Sequence, residues 1–197
     1  MNIISNTCIG AYITRDILKQ KYCNPFCWNI IDYVSMVNLI NQYDQLKVLP
    51  VNSFRNANNN YATILISNNI TIQYVHIKEK LFQSIVNKTQ PNEDNIFVEN
   101  CATYAIEKYK ERLQRMTEPP VFILQVQSNH PITGNIQQLH HLINTVKTTY
   151  HIIIVTKEKL SIQSKNIHIL NEFDELTLNK PKLMAIKLSK QLNMLSK

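Results

Sequence analysis

The chain has 197 residues, of which 44% are hydrophobic and 18% charged, and it carries a net charge of +7. This length buries enough surface for a core without disulfide or metal staples. No apolar run reaches the roughly 18 residues that span a bilayer, and residues 1–6 lack the basic start and long apolar stretch of a signal peptide. We therefore expect a cytoplasmic protein, of a bacterium or, if the chain is viral, of its host cell.

Cysteine and glycine usage excludes several kinds of site. The four cysteines lack the paired spacing of a zinc site, and without an export signal we expect reduced thiols and no metal. Only two glycines, Gly10 and Gly134, are present, so neither a dinucleotide fingerprint nor a Walker phosphate loop can be written. The identity of any cofactor stays open.

The first part of the chain predicts a strand, two helices and a hairpin. Residues 2–6 form a short apolar run that predicts a strand, and after a polar turn the spacing of Ile9, Ile13 and Ile17 predicts a helix. Pro25 interrupts this pattern. A second helix is predicted over 32–43, a strand over 45–50 and an exposed loop over 56–60. The β-rich runs 61–67 and 70–77 flank Asn68-Asn69 and predict a hairpin with a two-residue turn.

The middle and last thirds predict a helix and a βαβ unit. The helical pattern over 101–116 ends before Pro119-Pro120. Val121–Val126 and His151–Thr156 are continuous apolar runs, typical of central parallel strands, and a helical pattern over 134–150 lies between them. These elements predict an α/β protein with three α/β/α layers and a mostly parallel sheet. Ligands are expected beyond the carboxyl ends of its strands, near 127–130 and 156–158.

The tail of the chain predicts a basic helix. After Glu175 no acidic residue remains, while five lysines share the tail with apolar residues at helical spacing. We expect a single α/β domain over 1–175 and an amphipathic helix over 176–197 that packs on the domain or extends from it. The alternative to a solvated lysine face is contact with a membrane surface through Lys180 to Lys197. The hairpin edge permits a homo-oligomer, and the charge pattern gives no strong indication of nucleic-acid binding.

Cys8 is the first candidate for chemistry. It lies where a strand gives way to a helix, and the positive end of a helix stabilises a thiolate. A cysteine nucleophile needs a base, and His76, near the end of the hairpin, is the best placed of the six histidines. The alternative is that Cys8 is a small buried hydrophobe and His76 an ordinary histidine.

Three further residues are candidates for substrate binding. His130 follows a central parallel strand, at the edge where ligands usually lie. Arg112 and Arg115 share one predicted helix and can hold a phosphate or carboxylate. Each also has a structural alternative, because charged faces of exposed helices are common.

The motif Ile4-Ser5-Asn6-Thr7-Cys8-Ile9-Gly10, followed by Asn24-Pro25-Phe26 and a strand with His76, resembles the family of domain of unknown function 1919 (DUF1919). The predicted helix with Arg112 and Arg115 resembles the Arg-rich helix of that family. The resemblance covers about residues 1–160. It implies a three-layer α/β fold and an association with exopolysaccharide or surface-glycan biosynthesis, and on these motifs Ser5, Asn6, Thr7 and Asn24 are predicted to bind substrate.

A more distant similarity is to a neighbouring family described as papain-like cysteine peptidases. That similarity implies Cys8 as nucleophile and His76 as base, but Cys27 stands here where the neighbour has Asp, and Ala11 where a second Gly is expected. Three functions follow in order of preference. The first is a transferase-type enzyme that builds or modifies surface glycans from a glycan or activated sugar, the second a Cys/His hydrolase or acyltransferase, and the third a noncatalytic binding or scaffold domain.

Overall fold

The computed structural model describes residues 1–21, 24–27, 29–56, 61–74, 94–126, 136–146, 149–159, 165–171, 173, 178 and 180–195. The strands are β1 (Asn2–Ser5), β2 (Asn29–Ile31), β3 (Val51–Asn56), β4 (Tyr61–Ile66), β5 (Ile70–Tyr74), β6 (Pro120–Gln125), β7 (His151–Val155) and β8 (Ile167–Leu170). The α-helices are α1 (Ile9–Tyr12), α2 (Tyr33–Asn41), α3 (Asp94–Gln114), α4 (Ile136–Thr145) and α5 (Pro181–Leu195). A π-helical turn, Ile13–Ile17, continues α1, and a 3-10 turn, Tyr43–Gln45, follows α2.

The mixed α/β fold is confirmed, and its strands form two sheets. The first sheet is parallel throughout, in the order β1-β6-β7-β8, and the second is antiparallel, in the order β2-β5-β4-β3. β6 is buried along its whole length and β7 along all but its first residue, as continuous apolar runs require when both faces are covered. The predicted hairpin is β4 and β5, and it belongs to the second sheet.

Two hydrophobic cores cover the two faces of the parallel sheet. The larger core lies between the sheets and takes side chains from β6 and β7, from α2, α3 and α4, and from the antiparallel sheet. The smaller core lies on the opposite face, where α1 and α5 pack. Met184, Ala185, Leu188 and Leu192 form the buried stripe of α5. The predicted C-terminal helix therefore packs on the body of the protein, while the division into a domain and an appended helix stays a prediction.

The structure corrects two local predictions. The prediction of a strand over 45–50 is wrong, because those residues form the end of the 3-10 turn and further turns. The strand of this region is β3, which begins at Val51. Leu46 supplies the only fully buried side chain there, so the segment lacks the alternating burial of a strand. The hairpin turn has three residues, not two, because Ile66 pairs with Ile70, and positive φ angles fall at Ser67 and Asn68.

Candidate functional site

The carboxyl ends of the parallel strands meet at one edge of the sheet, here called the carboxyl edge, and the turn after β1 forms part of it. Ser5 is buried, its hydroxyl donates to the carbonyl of Thr7, and it accepts a hydrogen bond from the N–H of Gly10 at 2.8 Å. A Cβ on Gly10 would lie 2.7 Å from Ser5 Oγ, so only glycine allows α1 this close to β1. The hydrogen bond between Gly10 and Ser5 thus stabilises the turn, and the spacing of these two residues in the motif allows it.

Asn6 fastens the turn to the neighbouring strand. Its side chain is fully buried, Nδ2 donates to the carbonyl of Gln125 at 3.0 Å, and Oδ1 accepts from the N–H of Gln125 at 2.9 Å. The side-chain amide therefore continues the parallel pairing of β1 with β6 for one more position. Both polar ends of Asn6 are used by the protein itself, which favours a structural role over direct substrate binding.

Gln125 is a residue that sequence reasoning missed. It is buried, Oε1 accepts from the hydroxyl of Thr7 at 3.3 Å, and Nε2 donates to the carbonyl of Leu178 at 3.0 Å. The signal was present, since a polar side chain inside the apolar run 121–126 requires buried partners. Thr7 and Gln125 together connect the turn after β1 with the segment that precedes α5.

Cys8 lies half-buried at the start of α1, and its carbonyl accepts from the N–H groups of Ala11 at 3.2 Å and Tyr12 at 3.3 Å. Burial raises the pKa of the Cys8 thiol. This direction is opposite to the stabilised thiolate expected from a helix N-terminus. α1 has only four residues before the π-helical turn, so its dipole is short and desolvation dominates.

The Asn24-Pro25-Phe26-Cys27 segment is tied to both sheets. Asn24 is buried, Nδ2 donates to the carbonyl of Ile3 at 2.6 Å, and Oδ1 accepts from the N–H of Phe26 at 2.9 Å. The carbonyl of Pro25 accepts from Asn29 Nδ2 at 2.6 Å and from the Tyr74 hydroxyl at 3.0 Å. This segment bridges β1 to the antiparallel strands β2 and β5.

Cys27 is buried in that segment. Its thiol lies 3.8 Å from the hydroxyl of Thr14, which belongs to the π-helical turn. The position where the neighbouring family has Asp is thus a buried contact between two local segments.

Arg112 and Arg115 lie at the opposite end of the sheet from Cys8, where the parallel strands begin. They line a cavity of about 300 Å³, here called the amino-end pocket. Its other lining residues are Asn2, Gln20, Lys21, Asn24, Met116, Thr117 and Glu118. Arg115 forms an ion pair with Glu111 on α3, and Glu118 pairs with the amino group of Met1. Three cationic side chains and three amides therefore face one cavity that holds a single carboxylate.

The predicted site residues thus separate into two groups. Ser5, Asn6, Thr7 and Cys8 lie at the carboxyl edge, whereas Asn24, Arg112 and Arg115 line the amino-end pocket. His76 and His130 lie outside the described residues, so the pairing of Cys8 with His76 stays a prediction. Within the described part of the chain, no three His, Cys, Asp or Glu side chains are grouped to hold a metal ion.

No protein-family model matches the chain, and no curated protein is similar to it. The resemblance to the DUF1919 family therefore rests on the motif residues alone. None of the helices in the described ranges has the length and hydropathy of a membrane span.

Proposed function

We propose that this chain is a cytoplasmic, transferase-type enzyme of surface-glycan biosynthesis or modification, and that the phosphate of an activated sugar binds in the amino-end pocket. The observation that carries the proposal is that Arg112 and Arg115, predicted together to hold a phosphate or carboxylate, line one cavity with Lys21. The association with glycans comes from the motif resemblance. The cationic side chains of the pocket are the groups that would bind the phosphate.

The lining of the pocket fits a phosphorylated sugar on two counts. Guanidinium groups offer planar, paired N–H donors that match phosphate oxygens, and lysine adds a point charge. The amides of Asn2 and Gln20 provide further donors and acceptors of the kind that sugar hydroxyls require. Each now bonds a backbone carbonyl, Asn2 that of Glu118 at 2.7 Å and Gln20 that of Met1 at 2.8 Å, so ligand binding would exchange those bonds.

The state of Cys8 favours this function over a cysteine hydrolase. Covalent catalysis requires a thiolate near neutral pH, whereas burial raises the pKa of Cys8. In the transferase proposal Cys8 needs no negative charge and lies beside Thr7 as a neutral side chain at the carboxyl edge. The hydrolase alternative requires His76 to lower the thiol pKa against this desolvation.

The direct test measures binding of inorganic pyrophosphate and of a panel of nucleotide sugars by isothermal titration calorimetry. Arg112→Ala removes one charge-assisted contact and should weaken binding about 10- to 100-fold. Arg112→Lys should restore part of the loss, because charge remains but the paired donors do not. Lys110→Ala is the matched control, since Lys110 is exposed on the same helix and does not line the pocket. Absence of binding by the wild type, or equal affinity of Arg112→Ala, would contradict the proposal.

The outer face of α5 has the side chains that contact with a membrane surface requires. Leu183 and Ile186 are 38% and 48% exposed, and they lie among Lys182 and Lys187 on a helix without acidic residues. Exposed apolar side chains between lysines match the headgroup boundary of an anionic membrane. Anionic headgroups attract a face that carries lysines, so we expect the protein to work at the surface of an anionic membrane.

Vesicle sedimentation tests the membrane contact. Wild-type protein should bind vesicles that contain anionic phospholipid and not vesicles of neutral lipid alone, and binding should fall with salt. Lys182→Gln with Lys187→Gln should abolish most of it, whereas Lys108→Gln on α3 should not. Equal binding to both kinds of vesicle would refute the role of charge.

A further inference from the structure

Two histidines meet on the adjacent strands β7 and β8. His151 begins β7 and His168 lies on the edge strand β8, where it is opposite Ile153 in the parallel register. Because side chains alternate along a strand, His151 shares a face with Ile153 and hence with His168. The N–H of Ile152 donates to the carbonyl of Asn166 at 2.8 Å and fixes the two strands beside the pair.

The two rings are already in contact through their nitrogens. Nδ1 of His151 lies 3.1 Å from Nε2 of His168, and the ring centroids are 5.3 Å apart at an interplanar angle of 36°. Such a contact requires a proton on one nitrogen and a lone pair on the other. Desolvation and, second, the neighbouring His151 lower the pKa of His168.

The spacing of the nitrogens matches that of metal ligands. At Zn–N distances of about 2.0–2.1 Å, two ligands of a tetrahedral ion are about 3.3–3.4 Å apart. The observed 3.1 Å is within a few tenths of an ångström of this value. To bind an ion through both facing nitrogens, the ring that now donates moves its proton to its other nitrogen, and both facing nitrogens then present lone pairs to the ion.

We propose that His151 and His168 chelate a divalent first-row transition metal ion such as Zn²⁺ or Ni²⁺. Neutral imidazole is a preferred ligand of these ions, and hard cations such as Mg²⁺ prefer oxygen. Within the described residues no third His, Cys, Asp or Glu completes the set. The remaining coordination positions are taken by water or by a donor atom of a small ligand, so the site is open and exchangeable.

Titration of the full chain, purified without a polyhistidine tag, with NiCl₂ and ZnCl₂ tests this site by calorimetry and by the histidine ring signals in NMR. A Cys8→Ser background excludes the half-buried thiol as the ligand. His151→Asn and His168→Asn should each weaken binding about 10- to 100-fold, because a chelate loses one of two linked contacts. The ring signals of both histidines should respond to the metal in the parent protein.

The control variant is His140→Ala with His141→Ala, which removes two exposed histidines on α4 and should leave the affinity unchanged. Circular dichroism checks that each variant folds. The proposal is overturned if the His140/His141 variant loses the site, if neither His151→Asn nor His168→Asn weakens binding, or if the parent protein shows no metal-dependent change in either ring.

Discussion

Gly10 lies so close to Ser5 that a larger residue cannot be placed there without movement. A Cβ would be 2.7 Å from Ser5 Oγ and 3.3 Å from Ser5 Cβ, both buried. We expect Gly10→Ala to lower the free energy of unfolding by about 1–3 kcal/mol, the usual cost of overpacking. Urea denaturation followed by circular dichroism measures the change.

The Ser5→Ala background provides the control for this clash. Ser5→Ala removes the Oγ that a Cβ on Gly10 would meet, so Gly10→Ala should cost less there than in the wild type, and the difference is the coupling energy of the pair. An equal cost in both backgrounds would mean that the strain arises elsewhere in the turn.

The polar motif at the end of β1 shows how far single residues could be understood from the sequence. Ser5, Asn6 and Asn24 stand out as polar residues beside apolar runs, and the sequence interpretation assigns them to substrate. In the structure all three are buried and bond the protein backbone. The partner of Asn6 is 119 residues away, and no local pattern can reveal a contact of that separation.

Cys8 should react slowly with alkylating reagents near neutral pH. Because burial raises its thiol pKa, the thiolate fraction at about pH 7 is smaller than in an unfolded peptide, and the rate should climb only at alkaline pH. Mass spectrometry after timed iodoacetamide treatment reports each cysteine separately. Buried Cys27 serves as the internal control and should react only on unfolding. Fast reaction of Cys8 at neutral pH that His76→Ala abolishes would instead support the hydrolase alternative.

At the level of secondary-structure elements, the sequence predicts a strand correctly where a continuous apolar run indicates that the strand is buried. β6 and β7 were predicted because both are continuous apolar runs, and both are buried. β2 and β8 were missed because β2 has three residues and β8 is only half-buried along its length, so neither gives a periodic signal. The second sheet was not predicted, since its assembly depends on pairing β2 with β5, whose partner residues are 41 to 45 positions apart.

α5 divides cleanly into a buried and an exposed face. Leu188 is fully buried in the smaller core, whereas Ile186, two residues earlier, is about half exposed. Leu188→Ala should lower the free energy of unfolding by about 2–5 kcal/mol, while Ile186→Ala should change it by no more than about 0.5 kcal/mol. Chemical denaturation of both variants measures the difference. Similar losses in the two would show that α5 packs with another face.

At the scale of the whole molecule, the tyrosines among the described residues are concentrated in the core between the two sheets. Tyr33, Tyr74 and Tyr109 are buried there, and Tyr43 and Tyr150 pack against its edge. The hydroxyl of Tyr33 donates to the carbonyl of Gln138 at 2.6 Å, which links α2 to α4. Tyr109 Oη has no hydrogen-bond partner among the described residues. The junction of the sheets is therefore apolar and holds several phenols away from water.

This arrangement predicts that the fold loses stability steeply at alkaline pH. Burial raises the pKa of Tyr33, Tyr43, Tyr74 and Tyr109, and the hydrogen bond to Asp44 raises the pKa of Tyr150 to about 12. The folded protein therefore keeps protons that the unfolded chain releases near pH 10. The contribution of these groups to the free energy of unfolding is complete below about pH 10 and is lost as pH rises toward 12.

Urea denaturation at a series of pH values, with tyrosinate absorbance of the folded protein measured in parallel, tests this directly. Tyr74→Phe and Tyr150→Phe should each reduce the steepness of the alkaline loss. If the folded protein ionises all nine tyrosines near pH 10 without unfolding, the phenols are not shielded by the junction of the two sheets.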